Sequence, residues 1–134
     1  MFQSNSPETE YYLAGSAEIT ASRLEELSES PSHAVRARVA ENKGTPLSTL
    51  LRLLNDADAD VRLSLANNSF LPKMFLLQLA RDQHPDVRYG MAENAHLPLF
   101  VLNILATDEN PYVAHRAAET LRRVAAAQPV RWVA

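Results

Sequence analysis

Residues 61–68 read VRLSLANN, and the same frame returns at a constant distance on both sides. VRARVAEN occupies 35–42, VRYGMAEN occupies 87–94 and VAHRAAET occupies 113–120. Successive copies lie 26 residues apart, and no insertion or deletion is needed to superpose them. A fixed period of this length marks a chain of stacked structural repeats, in which each unit buries its apolar face on the next.

Each unit carries two helical patterns. The first follows Pro46, Pro72 and Pro98, a residue suited to the first turn of a helix because its missing N–H is not needed there. Segment 46–55, PLSTLLRLLN, puts Leu50, Leu53 and Leu54 on one face. Leu76, Leu79 and Ala80 repeat that spacing, as do Leu102, Leu105 and Ala106, and it is helical rather than strand-like. The second, shorter helix begins near Asp58, His84 and Asn110, with Pro85 and Pro111 at its first position in two units. Val35, Val61, Val87 and Val113 open its buried face, and Val39, Leu65, Met91 and Ala117 follow one turn later. Ala40, Ala66, Ala92 and Ala118 come next, where a larger side chain would overpack a close helix contact. Helices of this length are marginal alone, so stacking must stabilise them.

Asn42, Asn68 and Asn94 end the second helix, and asparagine tolerates the left-handed conformation that commonly closes one. In the last copy this position is Thr120, and the next proline signal is replaced by Val124. The final helix is therefore predicted to run from about Pro111 to Ala127, until Pro129 stops it, as a terminal capping repeat should. Backwards, Leu13 and Ala14 fall one period before Val39 and Ala40, so residues 7–14 read as a worn second helix with Ser6 as cap and Pro7 in the first turn. The expected organisation is one all-α domain over 1–134, an α-solenoid of about five short two-helix repeats. It has a degenerate unit at 6–34, regular units over 35–110, and a capping helix with tail at 111–134.

A charge pattern shares the register. Asp56, Asp82 and Asp108 sit where the first helix ends, and Arg36, Arg62 and Arg88 sit in the first turn of the second, each at the wrong end of its helix dipole. Pairing inside a unit gives Asp56–Arg62 and Asp82–Arg88 and leaves Arg36 and Asp108 alone. Pairing between units gives Arg36–Asp56, Arg62–Asp82 and Arg88–Asp108 with nothing left over. The second scheme makes a ladder that stitches each unit to the next. The plainer reading is three independent surface pairs, worth under about 1 kcal/mol each.

Composition narrows the function classes. Residues 1–30 hold six glutamates against Arg23, a balance of −5, while residues 31–134 hold twelve Lys and Arg against ten acids, a balance of +2. No strong basic surplus of the kind duplex binders show is present, and the acidic end reads as a solvated face. Cysteine is absent, which excludes disulfides, iron–sulfur clusters and thiolate zinc sites. Three glycines cannot build a phosphate-cradling loop. No apolar run is long enough to span a bilayer and the start MFQSNSPETE lacks a basic-then-apolar signal, so a cytoplasmic location is the default expectation.

An Asp followed six residues later by Arg, with Val just before that Arg, resembles HEAT-type helical repeats. The full unit TPLSTLLRLLNDADADVRLSLANN at 45–68 is closer to the bacterial variant leucine-rich repeat, and the resemblance covers roughly residues 17–125. It implies a right-handed solenoid of alternating α- and short 3₁₀-type helices with a generic binding role. Founding members of that family carry an N-terminal cysteine cluster for iron and sulfur. This chain has none, so no redox role carries over, and the family has no catalytic motif to transfer.

No catalytic, cofactor or metal motif emerges. His33, His84, His96 and His115 are not spaced as a helical zinc motif requires and read as solvated turn histidines. No serine lies in a strained glycine-flanked turn. The positions that vary while the frame stays fixed are more informative. Opposite the buried valine stand Ala37, Leu63, Tyr89 and His115, with Glu41, Asn67, Glu93 and Glu119 one turn on and Arg38, Ser64, Gly90 and Arg116 beside them. Stacked second helices commonly line a concave surface, which makes Arg38, Leu63, Tyr89, Glu93, His115 and Arg116 a candidate stripe for a protein or peptide. The bland alternative is that these side chains only cover neighbouring helices.

On the first helices Ser48 and Arg52 give way to Met74 and Gln78, then to Phe100 and Ile104, so the outer face turns apolar towards the C-terminus. Either the segment QPVRWVA at 128–134 covers it, with Val130 and Trp132 as lids, or a second copy does, giving a homodimer.

The expected function is a non-enzymatic protein- or peptide-binding module without cofactor or membrane partner. The alternative is a HEAT-like nucleic-acid binder using Arg38, Arg62, Arg116, Arg122 and Arg123 on a basic concavity. The ladder makes the first prediction: Arg62→Met should broaden urea unfolding into separable steps. An unfolding transition as steep as that of the unaltered protein would speak for independent pairs.

Overall fold

Short apolar stripes punctuated by prolines and capping residues dictate short helices, and helices are what the chain forms. The computed structural model describes residues 6–128. Among the described residues there are nine α-helices and no strand: α1 (Pro7–Ala14), α2 (Ala21–Leu27), α3 (His33–Glu41), α4 (Leu47–Leu53), α5 (Ala59–Leu65), α6 (Lys73–Ala80), α7 (Pro85–Ala92), α8 (Leu99–Leu105) and α9 (Pro111–Ala127). None is long and apolar enough to cross a membrane. The chain forms two compact units that meet in sequence at the end of α6, one running to Leu79 and the other starting at Ala80.

In the first unit α3 packs on both α1 and α5, so second helices lie against second helices, while α2 packs on α3 and α4 on α5. In the second unit α7, α8 and α9 contact one another in all three combinations. The repeated frame is the core. Val35, Val61, Val87 and Val113 are buried, as are Val39, Leu65, Met91 and Ala117. Ala40, Ala66 and Ala92 are buried too, whereas Ala118 on the terminal helix is half-covered. The first helices bury Leu50, Leu53 and Leu54, then Leu76, Leu79 and Ala80, then Leu102 and Leu105.

The second helices begin as their caps demand. The Ser32 hydroxyl accepts from the Val35 amide at 3.4 Å. Asp58 Oδ1 accepts from the amides of Asp60 and Val61, and Asn110 Oδ1 from those of Tyr112 and Val113. Each supplies an acceptor to amides that have no partner inside the helix. Ser6 caps α1 through the Thr9 amide at 3.2 Å, and Pro7 opens that helix. The terminal helix α9 spans Pro111–Ala127, the range its missing stop signals predict. Pro129, Val130 and Trp132, to which the sequence reading gave stop and lid roles, lie outside the described residues.

Three expectations need correction. Pro46 and Pro98 stand at the cap position before α4 and α8 rather than inside the first turn. The resemblance implies short 3₁₀-type helices alternating with α-helices, but the nine described helices are all α, and in the second helices the amides of Arg36, Arg62, Arg88 and Ala114 each reach back four residues, to Ser32, Asp58, His84 and Asn110. The repeated asparagine does not turn left-handed. No described non-glycine residue has positive φ, and Asn42 is extended at φ −72° and ψ 126°.

What the asparagine does instead is hold two repeats together. Asn42 Nδ2 donates to the carbonyls of Ala14 at 2.8 Å and Ser16 at 2.9 Å, while its Oδ1 accepts from the Gly44 amide. Asn68 repeats this with Ala40 at 2.9 Å, Asn42 at 3.1 Å and the Phe70 amide. A single amide group thus satisfies two carbonyls at the end of the preceding second helix and one donor of its own turn, a use that needs both the N–H₂ and the oxygen of the side chain. Thr120 keeps part of the function, its hydroxyl donating to the Ala92 carbonyl at 2.5 Å.

Asn68 is buried, so removing its amide strands partners that water cannot reach. Asn68→Ala should lower unfolding free energy by roughly 2–3 kcal/mol, with Asn68→Thr costing less because a hydroxyl can still reach one carbonyl. Urea denaturation followed by circular dichroism checks both.

Candidate functional site

The variable positions of the second helices can be placed within each unit. In the first, Arg38 and Leu63 are half-buried. In the second, Tyr89, Glu93 and His115 are exposed and Arg116 is half-buried. Equivalent positions differ between copies, Leu63 being half-buried where Tyr89 and His115 are exposed, whereas Arg38 and Arg116 are both half-buried.

In the second unit these side chains form one charged cluster. Arg116 Nη1 lies 3.3 Å from Glu119 Oε2, one turn on in the same helix, and its Nη2 lies 3.5 Å from Glu93 Oε2 on α7. His115 Nε2 lies 3.1 Å from the other oxygen of Glu119. The sequence placed these four residues on one side, and the structure brings them together. In the first unit Arg38 Nη1 pairs with Glu41 Oε2 at 3.4 Å, and the guanidinium lies 5.3 Å from the ring centroid of Tyr11. Tyr11 packs edge-on against Tyr12. Sequence reasoning missed Tyr11, although it stands one period before Ala37 and so in the same column as Leu63, Tyr89 and His115.

The aspartate–arginine pattern resolves into more than either pairing scheme. Arg36 Nε and Nη2 hold the two oxygens of Asp56 at 2.9 and 3.2 Å, and Arg88 holds Asp108 in the same two-pronged way at 2.8 and 3.4 Å. Arg36 and Arg88 also send Nη1 to the carbonyl six residues back, Ser30 and Asp82, and Arg62 Nη1 does the same to Asp56, all at 2.7–2.8 Å. The relation across 20 residues uses the carboxylate, and the relation across six uses the backbone. That is why Ser30 can stand where later repeats have Asp. The carboxylates have a further task, for Asp56, Asp82 and Asp108 each accept from the amide two residues on. The hydrogen bond to Asp56 raises the Arg36 pKa, outweighing the opposing effect of burial, with the charges of Asp56 and Asp58 adding to the rise. Arg62 and Asp82 belong to different compact units.

The histidines have local roles. His84 caps α7, its Nδ1 accepting from the Asp86 amide at 3.1 Å. His33 Nδ1 comes 3.8 Å from Asp58, and with Asp60 it forms the one group of three metal-ligating side chains found together among the described residues. The group sits at a helix start, whose positive end opposes a cation, and Asp58 is already committed to capping α5. Of the apolar patch, Met74 in the first unit is 67% exposed, Phe100 in the second is 40% exposed and Ile104 is half-buried. Trp132 lies outside the described residues.

The two-pronged pairs are largely shielded from water, so breaking one leaves a carboxylate with its charge poorly compensated. Arg88→Met should cost about 3 kcal/mol, whereas Arg23→Met, which removes the exposed pair with Glu26, should cost under about 1 kcal/mol. Equal shifts in the urea midpoint would contradict this ranking.

Comparison of the chain with protein-family models, with curated proteins and with solved structures finds no match.

Proposed function

We propose that the chain is a non-enzymatic helical-repeat module that binds a protein or peptide partner, built as a right-handed α-solenoid from first repeat to last. The unbroken 26-residue register supports the continuous repeat array. One observation carries the binding reading: the valine kept in every copy is buried, while in the changing column Tyr11, Tyr89 and His115 are exposed and Ala37 and Leu63 are half-buried. Exposed tyrosines flanked by arginine and glutamate are the side chains that anchor protein interfaces, because they offer large apolar area with a polar tip and little entropy to lose. The column changes character from copy to copy, which is how a fixed frame acquires a specific surface. A cytoplasmic location accords with the absence of a membrane-spanning helix among the described residues.

Duplex nucleic acid is the weaker reading. Arg38 and Arg116, two of the five arginines it would use, are each held by acids of the chain itself. A phosphate must compete with those carboxylates.

Selection from a random peptide display library on the immobilised protein tests the proposal. Enriched peptides should bind the protein and lose about tenfold or more in affinity to Tyr89→Ser or Tyr11→Ser. Retention of duplex DNA with steep salt dependence and no enriched peptide would overturn the reading in favour of nucleic acid.

A further inference from the structure

The repeats provide their own comparison for the two arginines of the variable column. Arg38 and Arg116 stand three periods apart, and so do their neighbours Glu41 and Glu119, and Gly15 and Glu93. Arg116 is held by two carboxylates, Glu119 from its own helix and Glu93 from the preceding second helix. Arg38 keeps the first, Glu41 at 3.4 Å, but glycine stands in place of the second. The guanidinium leans over that glycine, and a Cβ at residue 15 would run into Nε, Cζ and Nη2 of Arg38. Those atoms form the edge with which Arg36 and Arg88 grip their aspartates. The Nε atoms of Arg38 and Arg116 are both buried without a hydrogen-bond partner among the described residues, so Nη2 is the atom that separates the two arginines, that of Arg116 donating to Glu93. A cavity of about 150 Å³ lined by Gly15, Arg38, Glu41 and Asn42 adjoins it. Tyr11 lies under the guanidinium, and Tyr12, 78% exposed, meets the Tyr11 ring edge-on.

We propose that Arg38 receives its second carboxylate from a bound peptide, and that this site selects a segment carrying one acidic side chain beside an apolar one in a basic context. The inference rests on the peptide-binding reading and gives it a partner chemistry. The acidic residue meets Nη2 of Arg38, as Glu93 Oε2 meets Nη2 of Arg116. The apolar neighbour lies on Tyr11 and Tyr12. The basic flank answers the surrounding charge: Glu41 shares the cavity, Glu8 stands one turn before Tyr11 and Tyr12 on α1, and residues 1–30 carry six glutamates against one arginine. A polyacidic segment is repelled by the same groups.

The probe is the fluorescein-labelled hexapeptide Lys-Leu-Glu-Leu-Lys-Leu, compared with the form carrying Gln for Glu, with binding read by fluorescence anisotropy on the full chain. On the unaltered protein the glutamate form should bind about tenfold more tightly. On Arg38→Gln the two peptides should bind alike, because the changes share one contact and are not additive. Gly15→Glu is the second variant. It displaces only the flexible end of Arg38 and supplies in the chain the carboxylate that Glu93 supplies to Arg116. It should keep or raise the urea midpoint and erase the preference for the glutamate form. Equal binding of both peptides to the unaltered protein, or a preference that survives Arg38→Gln or Gly15→Glu, overturns the assignment while leaving the general peptide-binding reading standing. If display selection and both hexapeptides all fail to bind, the two fall together.

Discussion

Burial of one branched side chain per repeat is the constraint from which the architecture grows. Val35, Val61, Val87 and Val113 are all but sealed from solvent, each at the start of a helix of seven to seventeen residues. A seven-residue helix forms few internal hydrogen bonds for the backbone entropy it gives up, and in water it would melt. It persists because its valine, the apolar residue one turn on and the small alanine after that are taken out of water together. α3 shows the arrangement fully, packed against α1 on one side and α5 on the other.

Polar groups complete what apolar burial begins. Packed helix ends expose carbonyls and amides that water can no longer reach, and each must find a partner. Two devices meet that need. The asparagine amide closes the end of the preceding second helix, and the aspartate carboxylate closes its own turn while receiving an arginine from elsewhere. Both are side chains with more than one hydrogen-bonding function, which is why neither position drifts freely among polar residues. Where a substitution occurs, as Thr120 for asparagine, one bond survives and the others go.

The helical character of the segments, their order and the length of α9 were legible in the sequence because they follow from periodicity and from the loss of stop signals, both local properties. The candidate residues were legible as a column, but their partners were not. Arg116 reaches Glu93 across 23 residues, a relation that depends on how helices are set side by side. Asn42 was misread for the same reason. Its residue type suits a left-handed turn, and nothing local reveals the Ala14 and Ser16 carbonyls waiting beside it. The aspartate–arginine pattern was half legible: carboxylate pairing follows from counting members, whereas the backbone carbonyl that takes the other arginine nitrogen has no residue identity to count.

The asparagine also bears on how such a chain can change over time. Its reach to carbonyls 26 and 28 residues earlier is a ruler with two marks. One residue gained or lost between two copies would move both marks at once and break the grip. A change of length by a whole unit keeps both marks, whereas one residue added inside a helix between them shifts them.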